Sequence, residues 1–351
     1  MHIMPSITIH DIAREAGVSK STASDILNRN RPGLYRAATV ERVLKAAQSL
    51  NYQVHSGARS LRQAQSALVG IAMRPAMLDW HTINSLIVSV YAELSAQGLT
   101  PLIVDAEQMV PGKSFAPFPS PDMLAGIISV DLAMEKEVPT FYKVLGARLP
   151  MVALYPVRSR QIDFVTSDRA RGIELAVEHL LSLGHRDIAL AEIEGSTLLT
   201  VQEKLNGWNR ICRKNNLNPE RIIPLQAETN ASERARFIVG ILRAMPSPPT
   251  ALVCAGDDVA LWTMHFLAQA GWEVGRDISL VGFDDVKQAE YSSPALTTIR
   301  QPVAQITQLA VERLKQLIEA TRRDEALPPL RRLVEPQLMI RASSTQPVKP
   351  D

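Results

Sequence analysis

The chain has 351 residues, 46% of them hydrophobic and 21% charged, enough for a large buried core and for two or three domains. No apolar run reaches the length of a membrane span, and Met1 to His10 is too short and mixed for a signal-peptide core, so a cytoplasmic protein without a membrane partner is expected. The formal net charge of +2 hides an asymmetry: residues 1–65 carry nine Lys and Arg against four Asp and Glu, while the remainder carries 29 against 32, and a basic head on a mildly acidic body points to a polyanionic partner.

Near the N-terminus, Ile9, Ile12, Ala13 and Ala16 recur at the spacing of one helix face. Thr8 suits its N-cap, Asp11 suits the positive end of its dipole, and Gly17 can end it with a positive φ. Ser19 then caps a second helix with Ala23, Ile26 and Leu27 inside. Asn28 to Gly33 is a turn cluster, and a third helix follows with Val40, Val43, Leu44, Ala47 and Leu50 on one side. This is a helix-turn-helix pattern. The second helix keeps a small polar outer face of Lys20, Ser21, Ser24 and Asp25, which allows close approach to the major groove. Ser19, Lys20, Ser21, Thr22, Ser24, Asp25 and Asn28 are the candidate major-groove residues, and Ser19 with the free N–H groups beside it suits a phosphate. Taken alone, the pattern also fits a three-helix packing unit with no DNA role.

Residues 56–62 form the second signal. Ser56 can cap a short basic helix through Ala58, Arg59, Leu61 and Arg62. Leu61 is an exposed apolar residue there, suited to a wedge in the minor groove, and Arg59 and Arg62 suit phosphates. An ordinary linker turn is the alternative. The head therefore spans 1–53 and a hinge helix with linker spans 54–66.

Beyond residue 67, short apolar runs alternate with amphipathic stretches. Candidate strands are Leu68–Met73, Leu102–Val104, Gly126–Val130, Met151–Leu154, Ile188–Ala191, Ala251–Cys254 and Ile278–Phe283. Ile83, Leu86, Ile87, Val90 and Leu94 follow a helical period, as do Val303, Ile306, Ala310 and Leu314. The alternation predicts parallel sheets covered by helices on both faces, with a ligand beyond the carboxyl ends of the strands. Pro111 to Pro121 reads as a loop, and Cys212 and Cys254 as buried reduced thiols. Neither a metal-ligand spacing, a phosphate-cradling glycine loop nor a nucleophile elbow is present, so no enzyme, cofactor, catalytic residue or metal site is expected.

Several motifs in order resemble the LacI/GalR family of bacterial transcription regulators. In the head they are Val18-Ser19-Lys20-Ser21-Thr22-Ala23-Ser24, Ile26-Leu27-Asn28, Thr39-Val40-Glu41-Arg42-Val43, Asn51-Tyr52 and Ala58-Arg59-Ser60-Leu61. In the body they include Asp168 with Gly172, Leu183-Gly184-His185-Arg186, Gly207-Trp208, Val281-Gly282-Phe283-Asp284-Asp285 and Pro294-Ala295-Leu296-Thr297-Thr298-Ile299. The resemblance implies an all-α helix-turn-helix head with a hinge helix, then a two-lobed α/β core like the periplasmic binding proteins. Three crossovers would lie near Ile162, Ile299 and Leu327. The core would then span 67–343, with an N-lobe of about 67–162 plus 299–326, a C-lobe of about 163–298 plus 327–343, and a tail of 344–351. It also implies a homodimer on a pseudo-palindromic operator of double-stranded DNA, paired Leu61 wedges, and a sugar-like small-molecule effector between the lobes that biases one state of the protein.

The chain departs from the family pattern in places. Asp25 stands where many members carry Arg; it can accept from a cytosine amino group, or turn to solvent or to Arg29. Val54 and His55 replace the usual Pro-Asn, and Gly57 weakens the hinge helix by roughly 1 kcal/mol relative to Ala. Lys204 occupies the place of an effector-binding Arg and lacks its bidentate fork, while Gly256 precedes Asp257 where Asn is common. Asp284 remains. Arg74, Asp79, Trp80, Lys204, Asp257 and Asp284 are the candidate effector residues; Trp80 offers a stacking face, though it and His81 also fit plain loop packing. A sugar or derivative leads, with an anionic ligand or an empty pocket as alternatives. The function expected is that of a DNA-binding repressor, with a solute-binding protein lacking DNA function as the alternative. The tail has no heptad run for a tetramerising coiled coil.

Overall fold

The computed structural model describes residues 9–27, 34–50, 67–74, 81–106, 123–130, 149–227 and 229–347. The chain divides at Ser66 into two compact units. The first holds α1 (Ile9–Glu15), α2 (Lys20–Leu27) and α3 (Ala37–Ser49). Ile12, Ala13, Ala16, Ala23, Ile26, Val43 and Ala46 form its buried core. Gly17 takes a φ of 63°, a left-handed turn that glycine makes without strain. Leu44 departs from expectation. It is 52% exposed, because it lies about 100° round the helix from the buried Val43, and Ala46 takes the inward place.

The second unit runs β1 (Leu68–Met73), α4 (His81–Ala96), β2 (Thr100–Asp105), β3 (Gly126–Ser129), β4 (Met151–Ala153) and β5 (Asp163–Ser167). It continues α5 (Arg169–Ser182), β6 (Ile188–Ile193), α6 (Leu199–Asn215), β7 (Ile222–Leu225), α7 (Ala231–Ala244), β8 (Ala251–Cys254), α8 (Asp257–Gln269), β9 (Ser279–Asp284) and α9 (Lys287–Tyr291). It closes with β10 (Thr297–Arg300), α10 (Val303–Arg322), β11 (Arg331–Val334) and β12 (Gln337–Met339). The strands make two six-stranded sheets, ordered β11-β5-β4-β3-β1-β2 and β12-β10-β9-β8-β6-β7. All pairings are parallel except β10 with β12, so the second sheet has one antiparallel edge.

The chain thus crosses between lobes after Ser167, after Arg300 and between Val334 and Gln337. Two crossovers therefore lie later than the positions near Ile162 and Leu327 expected from sequence. The physical reason is that β5 and β11 are not apolar runs. Asp163 opens β5 buried, where Arg313 of α10 donates to its Oδ2 at 2.5 Å and the Leu330 amide donates to its Oδ1 at 2.9 Å. The exposed Arg331 and Arg332 sit on β11, a short charged edge strand that resists edge-to-edge pairing. The expected tail boundary at residue 344 also shifts. His185, almost fully buried, bonds Thr250, Ser279 and the Thr345 carbonyl, and His179 bonds Ser344, so residues through Thr345 are stitched into the C-lobe.

Ile83, Leu86, Ile87, Val90 and Leu94 of α4 share one core with Ile306, Ala310 and Leu314 of α10 and with residues of the first sheet. In the C-lobe, Trp208 and Phe283 are fully buried between α5, α6 and the second sheet. Gly207 lets α6 run against α5: a Cβ there would lie 2.3 Å from the Ala170 carbonyl oxygen. Cys212 and Cys254 are free and buried. The proline-rich segment Pro111 to Pro121 lies outside the described residues. Among the described residues no helix is long and apolar enough to cross a membrane.

Candidate functional site

Two sites follow from the sequence, one in each unit. In the head, the Thr22 amide donates to Ser19 Oγ at 3.1 Å, so Ser19 caps α2; its Oγ also lies 2.8 Å from the hydroxyls of Ser21 and Thr22. Lys20 and Ser21 are exposed, and Ser24 and Asp25 half-buried beside them. This is the small polar face expected on the second helix. Tyr35, just before α3, donates its hydroxyl to Asp25 Oδ2 at 2.8 Å, a partner the sequence did not suggest; Arg29 lies outside the described residues. Asn28 and the hinge residues Ala58, Arg59, Leu61 and Arg62 lie outside the described residues, as do Val54, His55 and Gly57.

In the core, the polar cluster gathers at the carboxyl ends of the strands. Asp284 ends β9 with a φ of 120° and Asp285 follows at 54°. Two successive non-glycine residues with positive φ are a strained backbone, held only where surrounding bonds over-determine it. Here Gln301 donates to Asp284 at 2.5 Å, while Arg300 and Arg341 donate to the two oxygens of Asp285 at 2.6 and 2.7 Å. Thr82, at the start of α4 in the N-lobe, also bonds Asp284, so residues of both lobes meet at this carboxyl. Burial pushes the Asp284 carboxyl above its ordinary range, against the pull of Lys204, Gln301, Thr82 and Arg169.

Lys204 of α6 bonds the Ala255 carbonyl at 2.8 Å, lies 3.2 Å from the buried Glu192 carboxylate and sits over the Phe283 ring. Arg169, the first residue of α5, is 4% exposed. It donates to Thr166 at 2.8 Å, faces Glu203 at 3.5 Å and stacks over the Tyr155 ring. Burial raises the Glu203 carboxyl, partly offset by the Arg169 charge. Burial likewise raises the Tyr155 phenol. Glu192 Oε2 and Glu203 Oε2 are held as ion partners of Lys204 and Arg169, while Ser167 Oγ is buried without a hydrogen bond and is open to an incoming hydroxyl.

Of the six residues expected to hold an effector, Lys204 and Asp284 come together in this cluster. Arg74 follows β1 half-buried, and Asp79 and Trp80 lie outside the described residues. Asp257 needs correction. It is fully buried, with Oδ1 accepting from Thr298 at 2.6 Å and Oδ2 from the Val286 amide at 2.9 Å, so both oxygens are used inside the fold. Its Oδ1 packs so tightly on Gly282 that a Cβ there would lie 2.0 Å away. Asp257 is a latch under the β9–β10 loop and not part of a ligand surface. Sequence reading missed Arg169, Glu192, Glu203, Tyr155 and Gln301. Only Arg169 carried a local signal, immediately after Asp168 of the Asp168/Gly172 motif.

A helix-turn-helix unit followed by a two-sheet core with polar residues at the lobe junction defines a class: a DNA-binding regulator built on a periplasmic-binding-protein-like core. Family models agree in both parts. Residues 8–54 match the bacterial regulatory proteins of the lacI family, and residues 177–344 a periplasmic binding protein-like domain. The chain is 31% identical over 350 residues to the HTH-type transcriptional regulator MalR of Streptomyces coelicolor, covering 95% of each chain. It is 28% identical over 333 residues to the lactose operon repressor of Escherichia coli, covering 93% of this chain and 89% of that one. The crystal structure of the lac repressor dimer bound to operator and the anti-inducer ONPF superposes with a TM-score of 0.78 at 25% identity, over 97% of this chain and 99% of that one. The chain belongs to the LacI family: it is a transcriptional repressor with a helix-turn-helix DNA-binding domain and an effector-binding core, in a family of regulators and not of enzymes.

Proposed function

We propose that this protein binds a pseudo-palindromic operator as a homodimer in the cytoplasm, and that a neutral sugar or sugar derivative at the lobe junction sets its affinity. The observation that carries the first half is the polar face of α2, capped by Ser19 and turned outward from a complete three-helix core. The hinge residues Ala58, Arg59, Leu61 and Arg62 supply the minor-groove wedge in this reading. Homodimerisation is supported by large apolar side chains left exposed in each lobe: Val88, Tyr91 and Ile103 in one, Trp262 and Tyr291 in the other.

The effector class follows from charge matching. Lys204 faces Glu192 and Arg169 faces Glu203, so both cations are already matched by carboxylates, whereas the buried Ser167 hydroxyl and Asp284 suit the hydroxyls of a neutral ligand. A structural relative of 20% identity and TM-score 0.66 is the transcriptional regulator CelR in complex with cellobiose, which supports a saccharide.

Selection of bound sequences from random duplex DNA tests the reading. An inverted repeat is expected, and neutral saccharides are expected to shift the amount of DNA retained more than their carboxylated forms. Enrichment of a single unrepeated site contradicts the homodimer, and a response confined to carboxylated sugars contradicts the effector class.

A further inference from the structure

We propose that Tyr35 and Asp25 form the specificity-determining pair of the head: Asp25 reads a cytosine, and Tyr35 is the positioning residue that fixes its carboxylate. The proposal rests on the operator-binding reading above. At about 100° per residue, Ala23 and Ile26 mark the inward side of α2, Ser21 lies opposite, and Ser24 and Asp25 flank Ser21. Asp25 therefore sits on the outward face but is only half-exposed. Its Oδ2 accepts from the Tyr35 hydroxyl at 2.8 Å, and Tyr35 is itself packed against the head core. A carboxylate turns about a broad torsion when nothing holds it. The Tyr35 bond removes that freedom and leaves Oδ1, which has no other partner among the described residues, to meet what the groove presents.

A carboxylate only accepts hydrogen bonds. Phosphates repel it, as do guanine N7 and O6 and thymine O4. Adenine offers an amino group, but beside the N7 acceptor. Cytosine offers its N4 amino group with no acceptor next to it, so cytosine is the base that satisfies Asp25. An Asn at the same place accepts and donates, which matches the N6/N7 pair of adenine.

The test is selection from random duplex DNA with the full chain and with D25N and Y35F, followed by titration of four duplexes that differ only at the base pair D25N alters. The expected result is a cytosine in each half-site for the natural chain, a shift to adenine for D25N, and for Y35F about a fivefold loss of cytosine preference at that same pair with the others unchanged. If the natural chain enriches no site, the operator reading itself fails. If a site emerges but D25N leaves every base preference unchanged, Asp25 is not a reader. If Y35F keeps the cytosine preference, or weakens all four duplexes equally, Tyr35 is a structural staple and the positioning role is overturned.

Discussion

Gly207→Ala is expected to destabilise the core unit by about 4 kcal/mol, at the upper end of what overpacking costs. Gly207 lies within α6 where that helix runs against the first turn of α5, and a Cβ there would stand 2.3 Å from the Ala170 carbonyl oxygen and 2.7 Å from its Cα. Those neighbours are backbone, so no rotamer change relieves the overlap; α6 itself has to move away from α5. That movement would carry Trp208, fully buried one residue on, and Lys204, one turn earlier, out of their places. Gly240→Ala in α7 is the control. Nothing lies within 4 Å of its Cβ position, so that change is expected to be neutral or to stabilise by about 0.4–1 kcal/mol through helix propensity. Urea unfolding of both variants, read at the core transition, checks the pair. Equal midpoints for the two would mean that the α5–α6 approach is looser than described.

The second large effect is a pH dependence. Burial and the neighbouring Asp284 charge raise the Asp257 carboxyl from 3.8 to about 7, against the Thr298 and Val286 hydrogen bonds that pull it down. The folded chain therefore holds a proton that the unfolded chain gives up near pH 4. The stability this group contributes is fully present below about pH 4 and is lost as pH rises through 7. Asp284 shifts in the same direction, and because its charge is part of what raises Asp257 the two carboxyls titrate together and not as independent groups. Asp257→Asn mimics the protonated acid, with its amide oxygen accepting from the Val286 amide and its NH2 donating to Thr298, whose hydroxyl turns from donor to acceptor. It is expected to match the natural chain near pH 4.5 and to exceed it by about 2 kcal/mol at pH 8. Thermal unfolding at the two pH values measures this. A variant less stable than the natural chain at both would show that Asp257 is needed ionised.

The head was legible because its core is built from apolar residues at helical spacing within fifty residues of chain, and because the turn and cap are made by Gly17 and Ser19, whose chemistry is local. The strands read correctly in the core were likewise the apolar ones, such as Leu68–Met73 and Ala251–Cys254. What escaped was polar structure completed from far away. Asp163 makes an acceptable strand start only because Arg313 arrives from 150 residues on. Glu192 and Arg169 look like surface charges until Lys204 and Glu203 are placed opposite them. Asp257 looks like a cleft carboxylate until Gly282 admits it beneath β9. The Tyr35 partner of Asp25 lies across a turn and has no periodicity to announce it.

The most direct test of the account is a fluorescence titration of the full chain with its selected operator and with a scrambled duplex of equal length, each at 50 and 200 mM salt. The account predicts that the operator binds at least about a thousandfold more tightly than the scrambled duplex, and that both affinities fall steeply with salt as Lys and Arg contacts to phosphate are screened. Equal affinity for the two duplexes, or binding indifferent to salt, would contradict it.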